Sequence, residues 1–248
     1  MIKNKKMFAL LFVHAFLAHA GTMGPADLPS TGAFIAGEGG YTWNKNKGTD
    51  VNLLGIESLT SHFNNQGGSG RLSIGLLKYL RDSYGMSAEL GWGYYGSSKV
   101  TLQQTGPAIL PAATDFGGYT TKSSYDGLDL LVGLVYQQPS FGLFAKVGAL
   151  MENVHFRNQA DLADLTGGIM TGNINSRENR TEALPELKLG LSYRLLSRLS
   201  LIGSWSHAFG SSPHLGVSLN PGPSLIAINQ NQKNPTLDIA LLGLQYDI

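Results

Sequence analysis

Serine, histidine and charged side chains could carry chemistry in this chain, but their spacing argues against a catalytic or metal site. Ser204, Ser206 and His207 have the residue types of a hydrolase triad, which combines Ser, His and an acid. Successive side chains of a strand point to opposite faces, so His207 would diverge from both serines. The histidines beyond residue 20 show neither i,i+4 nor Cys/His spacing. We therefore expect no enzymatic activity, no cofactor and no metal.

A glycine pattern, Gly91-x-Gly93-x-x-Gly96, matches the spelling of a dinucleotide-binding fingerprint. That fingerprint requires a helix N-terminus directly after a tight turn. Here Trp92 and Tyr94 alternate with the glycines, and this alternation predicts a strand. The glycines are better explained as small residues of that strand that face a narrow lumen.

The segments that carry these residues repeat apolar side chains with a period of two. From Leu187 to Leu195 every odd position is apolar or aromatic, and every even position is polar or glycine. This is typical of a strand with one apolar and one polar face. The same pattern predicts eight strands, over residues 33–44, 70–80, 84–95, 124–136, 141–156, 187–195, 199–209 and 236–248.

The connections between the predicted strands alternate between long polar loops and short turns. A soluble sandwich would not explain an apolar face on every strand. The pattern predicts an all-β fold, a transmembrane antiparallel up-and-down β-barrel of eight strands, with long extracellular loops and short periplasmic turns. Short alternating pieces over residues 51–59 and 215–228 leave ten strands as the alternative.

Composition limits the other classes of protein. The chain has 18 Lys and Arg against 17 Asp and Glu, so it lacks the basic footprint of a nucleic-acid-binding protein. It has no cysteine, so a secreted form would depend on its hydrogen-bonded strands rather than on disulfides. No apolar run is long enough for a helical membrane span, and strands escape such a search because only alternate residues are apolar.

The first 20 residues have the features of a secretion signal. Three lysines precede an apolar run over residues 7–17, and Ala18-His19-Ala20 supplies an A-x-A cleavage site. The run is too short to cross a bilayer as a helix, which disfavours an uncleaved anchor. We predict a signal peptide over residues 1–20, an extended periplasmic leader over 21–32 and a barrel domain over 33–248.

Aromatic residues are predicted to form two girdles at the levels of the lipid head groups. Those near the outer ends of the strands are Tyr41, Trp43, Trp92, Tyr94 and Trp205. Those near the inner ends are Tyr84, Tyr136, Phe141, Tyr193 and Tyr246.

The polar faces place a set of charged residues in the predicted lumen. The interior of an eight-stranded barrel is only wide enough for side chains, so such charges must pair or be hydrated. Pairing predicts a lumen filled by a salt-bridge network, whereas hydration predicts a narrow path for water or ions. We favour pairing. The charged set is Glu38, Arg71, Glu89, Asp129, Lys146, Glu152, Lys188 and Arg194.

Three stretches of the chain resemble a known family: residues 20–25 (AGTMGP), residues 89–96 (ELGWGYYG) and residues 240–248 (ALLGLQYDI). They look like the small outer-membrane β-barrel proteins of Legionella and Coxiella. More broadly, the chain after the signal resembles the OmpA/OmpX-like opacity-type surface proteins. The resemblance implies a location in the outer membrane of a Gram-negative bacterium and insertion by the barrel-assembly machinery. The family's last strand usually ends in Phe or Trp, whereas this one ends in Ile248, with Tyr246 on the same face.

We expect a structural or surface-exposed role, such as adhesion or interaction, with a side-chain-filled lumen. The alternative is a narrow porin-like diffusion channel for small solutes or ions. The expected partners are outer-membrane lipid and lipopolysaccharide, the barrel-assembly machinery through the C-terminal strand, and host or surface ligands through the loops. No nucleic-acid partner is expected.

Overall fold

The computed structural model describes residues 31–45, 50–52, 59–64, 66–81, 83–104, 119–161, 173–210, 214–218, 227–231 and 234–248. The predicted signal peptide and most of the predicted leader lie outside these ranges. Within them, no helix is long and apolar enough to span a membrane.

The described ranges contain twelve β-strands of very different lengths. They are β1 (Thr31–Lys45), β2 (Asp50–Asn52), β3 (Leu59–Asn64), β4 (Gln66–Arg81), β5 (Tyr84–Gln104), β6 (Tyr119–Gln137), β7 (Phe141–Asp161), β8 (Asn173–Arg194), β9 (Leu199–Ala208), β10 (His214–Ser218), β11 (Ala227–Asn231) and β12 (Thr236–Asp247).

Eight of these strands pair with their neighbours in a closed ring. The order around the ring is β1, β4, β5, β6, β7, β8, β9 and β12, and every pairing is antiparallel. The last strand, β12, returns to β1 through a register that runs from Phe34↔Asp247 to Lys45↔Thr236. The predicted eight-stranded, antiparallel transmembrane barrel is therefore confirmed.

The described parts of the pieces considered as extra strands are not members of the ring of eight, although β3, which begins at Leu59, pairs with the outer part of β5. β10 pairs with β11 and with β2, and these three strands form a separate small sheet. The ten-strand alternative is therefore wrong for the described residues. A short, polar, half-alternating segment can pair with another loop just as well as it can enlarge a barrel.

The alternation of the sequence decides which side chains face lipid. In β6, Leu130 is 60% exposed on the outside of the barrel, whereas Leu131 is fully buried inside it. Large apolar residues are exposed in the same way along all eight strands and form a continuous outward belt. Such a surface is stable only when a lipid phase covers it.

The described parts of two predicted long loops, within residues 97–123 and 157–180, are strand. β5 continues to Gln104, β6 begins at Tyr119, β7 continues to Asp161 and β8 begins at Asn173. These extensions pair by backbone hydrogen bonds beyond the apolar belt. Their side chains do not have to alternate in polarity where water reaches the outer face, so hydrophobic periodicity does not reveal them.

Pro185 lies in the middle of β8, whereas the strand predicted for this segment begins only after it, at residue 187. The pairing of β8 with β9 ends at Glu186↔Ala208, one residue from the proline. The carbonyl of Pro185 accepts a hydrogen bond from the backbone N–H of Phe209 at 2.8 Å. Beyond this point β8 pairs only with β7. The N–H that proline lacks would point to the other edge of β8, where the ladder with β9 has already ended. The barrel wall is consequently taller along β5 to β8 than along β9 and β12.

A bulge marks the place where β5 leaves the apolar belt. The register with β6 shifts between Tyr94 and Ser97. Gly96, inside the bulge, has a φ of 89°, which residues with a side chain rarely adopt. Glycine at this position lets the strand bend and continue into the outer hairpin.

Candidate functional site: the filled lumen

Arg71 is the centre of a buried charge network inside the barrel. Its Nε donates to Asp129 at 2.7 Å, and its Nη2 contacts the other oxygen of the same carboxylate. Its Nη1 donates to Glu38 at 2.8 Å and also contacts Glu89. One guanidinium thus joins three carboxylates, which come from β1, β5 and β6.

Two lysines from the opposite wall complete this network. Lys188 of β8 donates to Glu38 at 2.7 Å and lies 3.3 Å from the nearer oxygen of Glu89. Lys146 of β7 contacts the second oxygen of Glu89. Strands that are distant in sequence are therefore connected across the middle of the barrel by buried side chains.

The six side chains, which we call the lumen network, balance in charge. Glu38, Glu89 and Asp129 face Arg71, Lys146 and Lys188, and none of the six is more than 6% exposed. Neutral groups complete the shell, because Ser204 donates to Glu38 at 2.6 Å and Tyr95 donates to Asp129 at 3.1 Å. Charges this deeply buried are stable only when they are paired and hydrogen-bonded, and here they are.

Inward-facing glycines make room for the large side chains of the lumen. A Cβ at Gly91 would collide with the guanidinium of Arg71. Cβ atoms at Gly75 and Gly190 would collide with the rings of Phe34 and Phe144. This accounts for the Gly91-x-Gly93 pattern, since these positions lie in a strand and face packed side chains rather than a phosphate.

Aromatic and apolar layers lie on both sides of the lumen network. Towards the short turns, the ammonium of Lys146 lies 5.2 Å from the ring centre of Phe34 and 4.8 Å from that of Phe144. Both contacts are within the range of cation–π attraction. Towards the long hairpins, an apolar cluster fills the barrel: Tyr95, Tyr125, Leu150, Val154, Phe156, Leu184, Ala208, Leu237, Ile239 and Leu241.

Two of the eight predicted lumen charges do not join the network. Glu152 lies inside the barrel nearer the hairpins and is fully buried, and among the described residues its carboxylate forms no salt bridge. Arg194 lies at the turn end of β8, where it and Asp247 are the charged neighbours of Tyr79. Inward orientation alone therefore did not identify the members of the network.

Sequence reasoning missed two further carboxylates on the inward face of β8. Glu186 is buried, and Glu182 lies opposite Glu152 and accepts a hydrogen bond from the backbone N–H of Asn234 at 3.3 Å. Both are separated from Lys188 by an even number of residues, so the alternation of the strand could have placed them on the same inward face. They were omitted because the strand was predicted to begin after Pro185. The predicted set of eight inward charges, four acids and four bases, is therefore incomplete.

The Ser/His combination considered for hydrolysis is not assembled. Ser204 and Ser206 are buried in the lumen, whereas His207 lies on the outer face, 2.6 Å from Asp238 and stacked on Trp205. His155 forms a second outward pair, 3.0 Å from Asp126. In the part of the chain that the structure describes, no three His, Cys, Asp or Glu residues are grouped to hold a metal ion.

The predicted girdle residues lie on the outward face at the two ends of the belt. At the turn end, Tyr136 contacts Tyr84 and Phe141, with ring centres 5.1 and 6.5 Å apart. At the hairpin end, Tyr41 and Trp43 form an edge-on pair at 5.3 Å. Trp92, Tyr94, Trp205 and Tyr246 are exposed on the same outer surface, and Tyr193 is half-buried beside Phe141.

Comparisons with known proteins give matches among solved structures. No protein-family model matches the chain, and no curated protein matches it. The attachment invasion locus protein Ail of Yersinia pestis is 9% identical, with a TM-score of 0.41 over 88% of this chain and 99% of Ail. The outer membrane protease OmpT of Escherichia coli is 10% identical, with a TM-score of 0.43 over 92% of this chain and 99% of OmpT.

The N-terminal β-barrel domain of OprF from Pseudomonas aeruginosa is a third match. It is 12% identical, with a TM-score of 0.34 over 88% of this chain and 98% of that domain. Matches this distant assign no activity. The strand pairing itself establishes that this chain is an eight-stranded antiparallel barrel with an apolar outer surface and a filled interior.

Proposed function

We propose that this chain is an integral outer-membrane protein of a Gram-negative bacterium, with a closed barrel that presents long hairpins at the cell surface. The observation that carries the proposal is the lumen network. Three acids and three bases from six strands meet in the middle of the barrel, and each of these side chains is almost fully buried. A barrel built in this way serves as an anchor rather than as a conduit.

The layers next to the network support a closed lumen. Phe34 and Phe144 lie on one side of it, and the apolar cluster that includes Leu150 and Leu237 lies on the other. An ion that crossed the barrel would have to displace packed apolar side chains as well as separate salt bridges. Both steps are costly in a protein interior, so they oppose a resting conductance.

The outward face supports insertion into a membrane. The exposed apolar belt ends in aromatic residues on both sides, the arrangement expected at two lipid–water interfaces. One end of the barrel carries short turns, such as Gln138–Ser140, and the other carries paired extensions of β5 to β8. Short turns on the periplasmic side and long hairpins outside are the usual orientation of such barrels.

The long hairpins are the parts available for a surface role, such as adhesion or interaction with a host. β7 and β8 pair over 21 positions, from Phe141↔Tyr193 to Asp161↔Asn173, and roughly half of this ladder lies beyond the apolar belt. The resemblance of three sequence stretches to the small outer-membrane barrels of Legionella and Coxiella agrees with this role. We do not assign an enzymatic activity.

The C-terminal strand is the proposed signal for the barrel-assembly machinery. β12 closes the ring against β1, and Tyr246 is exposed to the outside two residues before Ile248. A terminal strand with outward apolar and aromatic side chains has the chemistry expected for recognition before the barrel closes. The first 20 residues are the proposed signal for export to the periplasm.

Conductance of the refolded protein in a planar bilayer tests the closed lumen. We expect wild-type protein to show little or no steady current. Lys188→Ala should leak, because it removes the cation between Glu38 and Glu89 and leaves room for water. Ser87→Ala is the matched control, since Ser87 is buried on the same inward surface and its hydroxyl has no hydrogen-bond partner. A large, stable current in the wild type would instead support the narrow porin-like diffusion channel.

A further inference from the structure

A row of four basic residues crosses the outer hairpins at one level. The strand registers place Lys99 opposite Lys122, Lys122 opposite Arg157, and Arg157 opposite Arg177. These residues belong to β5, β6, β7 and β8, four neighbouring strands of the tall part of the wall. We call this set the basic row.

The four side chains share the outward face of the wall. Residues that are directly opposite in neighbouring strands point to the same side of a sheet. The preceding or following residues Ser98, Ser123 and Phe156 are buried on the inner side, so Lys99, Lys122 and Arg157 point outwards. All four members of the basic row are exposed.

Such a row destabilises the isolated hairpins. Like charges that lie directly opposite across strands repel one another, and neighbouring strands are only about 4.8 Å apart. The registered positions on either side of the row carry no acid that would offset this repulsion. They are Ser97, Ser124, His155 and Asn179 on the side of the belt, and Thr101, Thr120, Gln159 and Asn175 on the side away from it.

The height of the row places it just outside the lipid head groups. Asp126 is registered with Tyr94 of the outer girdle. Lys122 precedes Asp126 by four residues in β6 and lies further from the apolar belt. Four residues of strand correspond to roughly 13 Å along the strand. The row is continuous with the surface that contacts lipid below it, so its nearest neighbour in a membrane is the saccharide portion of the surrounding glycolipid.

We propose that the basic row binds phosphate groups on the inner saccharide of the lipopolysaccharide that surrounds the barrel. Four cations at strand spacing extend over roughly 14 Å, enough to contact more than one phosphate. The two arginines can hold a phosphate through two parallel hydrogen bonds. The neutral hydroxyl and amide side chains of the adjacent positions match sugar hydroxyls. This inference rests on the proposed outer-membrane orientation.

The test measures binding of the refolded full-length barrel, in detergent, to deep-rough lipopolysaccharide that keeps lipid A and a phosphorylated inner core. We expect Lys122→Gln with Arg157→Gln to weaken binding by about 30-fold, and neutralisation of all four residues by about 800-fold, at about 1 kcal/mol for each charge. Lys78→Gln with Arg198→Gln is the matched control. It removes two exposed positive charges at the turn end, and binding should be unchanged. Wild-type affinity should also fall with added salt.

Three outcomes would overturn the proposal: unchanged binding by the fourfold variant, equal loss in the control, or wild-type affinity that survives dephosphorylation of the lipopolysaccharide. Tight binding of heparin that depends on the basic row, without binding of lipopolysaccharide, would assign the row to a soluble polyanion and would also contradict it. Labelling of a Glu178→Cys variant on intact cells by an impermeant maleimide establishes the orientation separately. Failure of the orientation and failure of the phosphate site are therefore distinguishable.

Discussion

Single residues of the lumen stabilise the barrel through partners that come from different strands. Glu89 contacts Arg71 of β4, Lys146 of β7 and Lys188 of β8. Loss of one such carboxylate removes three attractions at once and leaves an excess of buried positive charge. A neutral neighbour on the same face carries no comparable interaction.

Glu89→Ala should therefore lower the free energy of unfolding by about 3–5 kcal/mol, because Lys146 loses its carboxylate partner in a low-dielectric interior and the lumen network keeps an excess positive charge. Ser87→Ala, two residues away on the same inward face, should change it by less than about 1 kcal/mol, since its hydroxyl makes no hydrogen bond. Urea unfolding in lipid vesicles measures both values. Equal stability of the two variants would show that the lumen network contributes little.

On the outer surface, Val132→Arg should cost about 2–4 kcal/mol, because it places a charge in the middle of the lipid-facing belt. Gln159→Arg introduces the same side chain at an exposed outward position of the β7 extension, where water screens its repulsion from the basic row, and should cost less than about 1 kcal/mol. The comparison uses vesicle-embedded protein and the same urea series. If both variants unfold at the wild-type urea concentration, the outward belt does not face lipid.

At the scale of elements, the barrel strands change character where they leave the membrane. Below this level, alternation separates a lipid face from a lumen face. Above it, β5 to β8 continue as polar paired extensions, while β9 and β12 stop. Two residues mark this boundary. Gly96 forms a bulge in β5 with a positive φ, and Pro185 in β8 lacks the backbone N–H that would continue the ladder.

Gly96→Ala should lower stability by about 1 kcal/mol, because a side chain at a φ of 89° is strained and its Cβ would lie 3.3 Å from the backbone of Gly67 and Gly68. Gly39→Ala is the control, since its Cβ would meet a single backbone oxygen at 3.9 Å on the exposed surface. A shift of the urea midpoint in Gly96→Ala alone is the expected result. Equal shifts would mean that the bulge is not strained by a Cβ.

At the scale of the whole molecule, the barrel has two unlike ends. The turn end has connections of a few residues, such as Leu195–Arg198, whereas the other end carries the long extensions and the basic row. The lumen network and its apolar layers separate the two ends. The barrel is therefore polarised, with one elaborated end, as the proposed anchor role requires.

The cysteine-free sequence allows this polarity to be measured directly. On intact cells, an impermeant maleimide should label Glu178→Cys, which lies on the exposed extension of β8, and should not label Ser197→Cys in a short turn. Both variants should react once the outer membrane is permeabilised. Labelling of Ser197→Cys on intact cells would mean that the barrel is inserted in the opposite direction or is not in the outer membrane.

The amino-acid sequence by itself determined the class of fold and the face on which each side chain lies. Alternation with a period of two is a local property, so Leu130 and Leu131 could be assigned to opposite faces without knowledge of their neighbours in space. The same reasoning placed Arg71, Glu89 and Lys188 inside the barrel. It failed where polarity stops alternating, as in the outer hairpins, and where Pro185 was taken as the start of a strand.

Only the tertiary structure decided which inward charges meet. Arg71 reaches Glu38 and Asp129 across separations of 33 and 58 residues, and Lys188 reaches Glu38 across 150. These contacts depend on the stagger of strands around the closed barrel, which alternation does not encode. The same stagger leaves Glu152 outside the network and aligns Lys99, Lys122, Arg157 and Arg177. Local pattern sets the direction of a side chain, and closure of the barrel sets its partner.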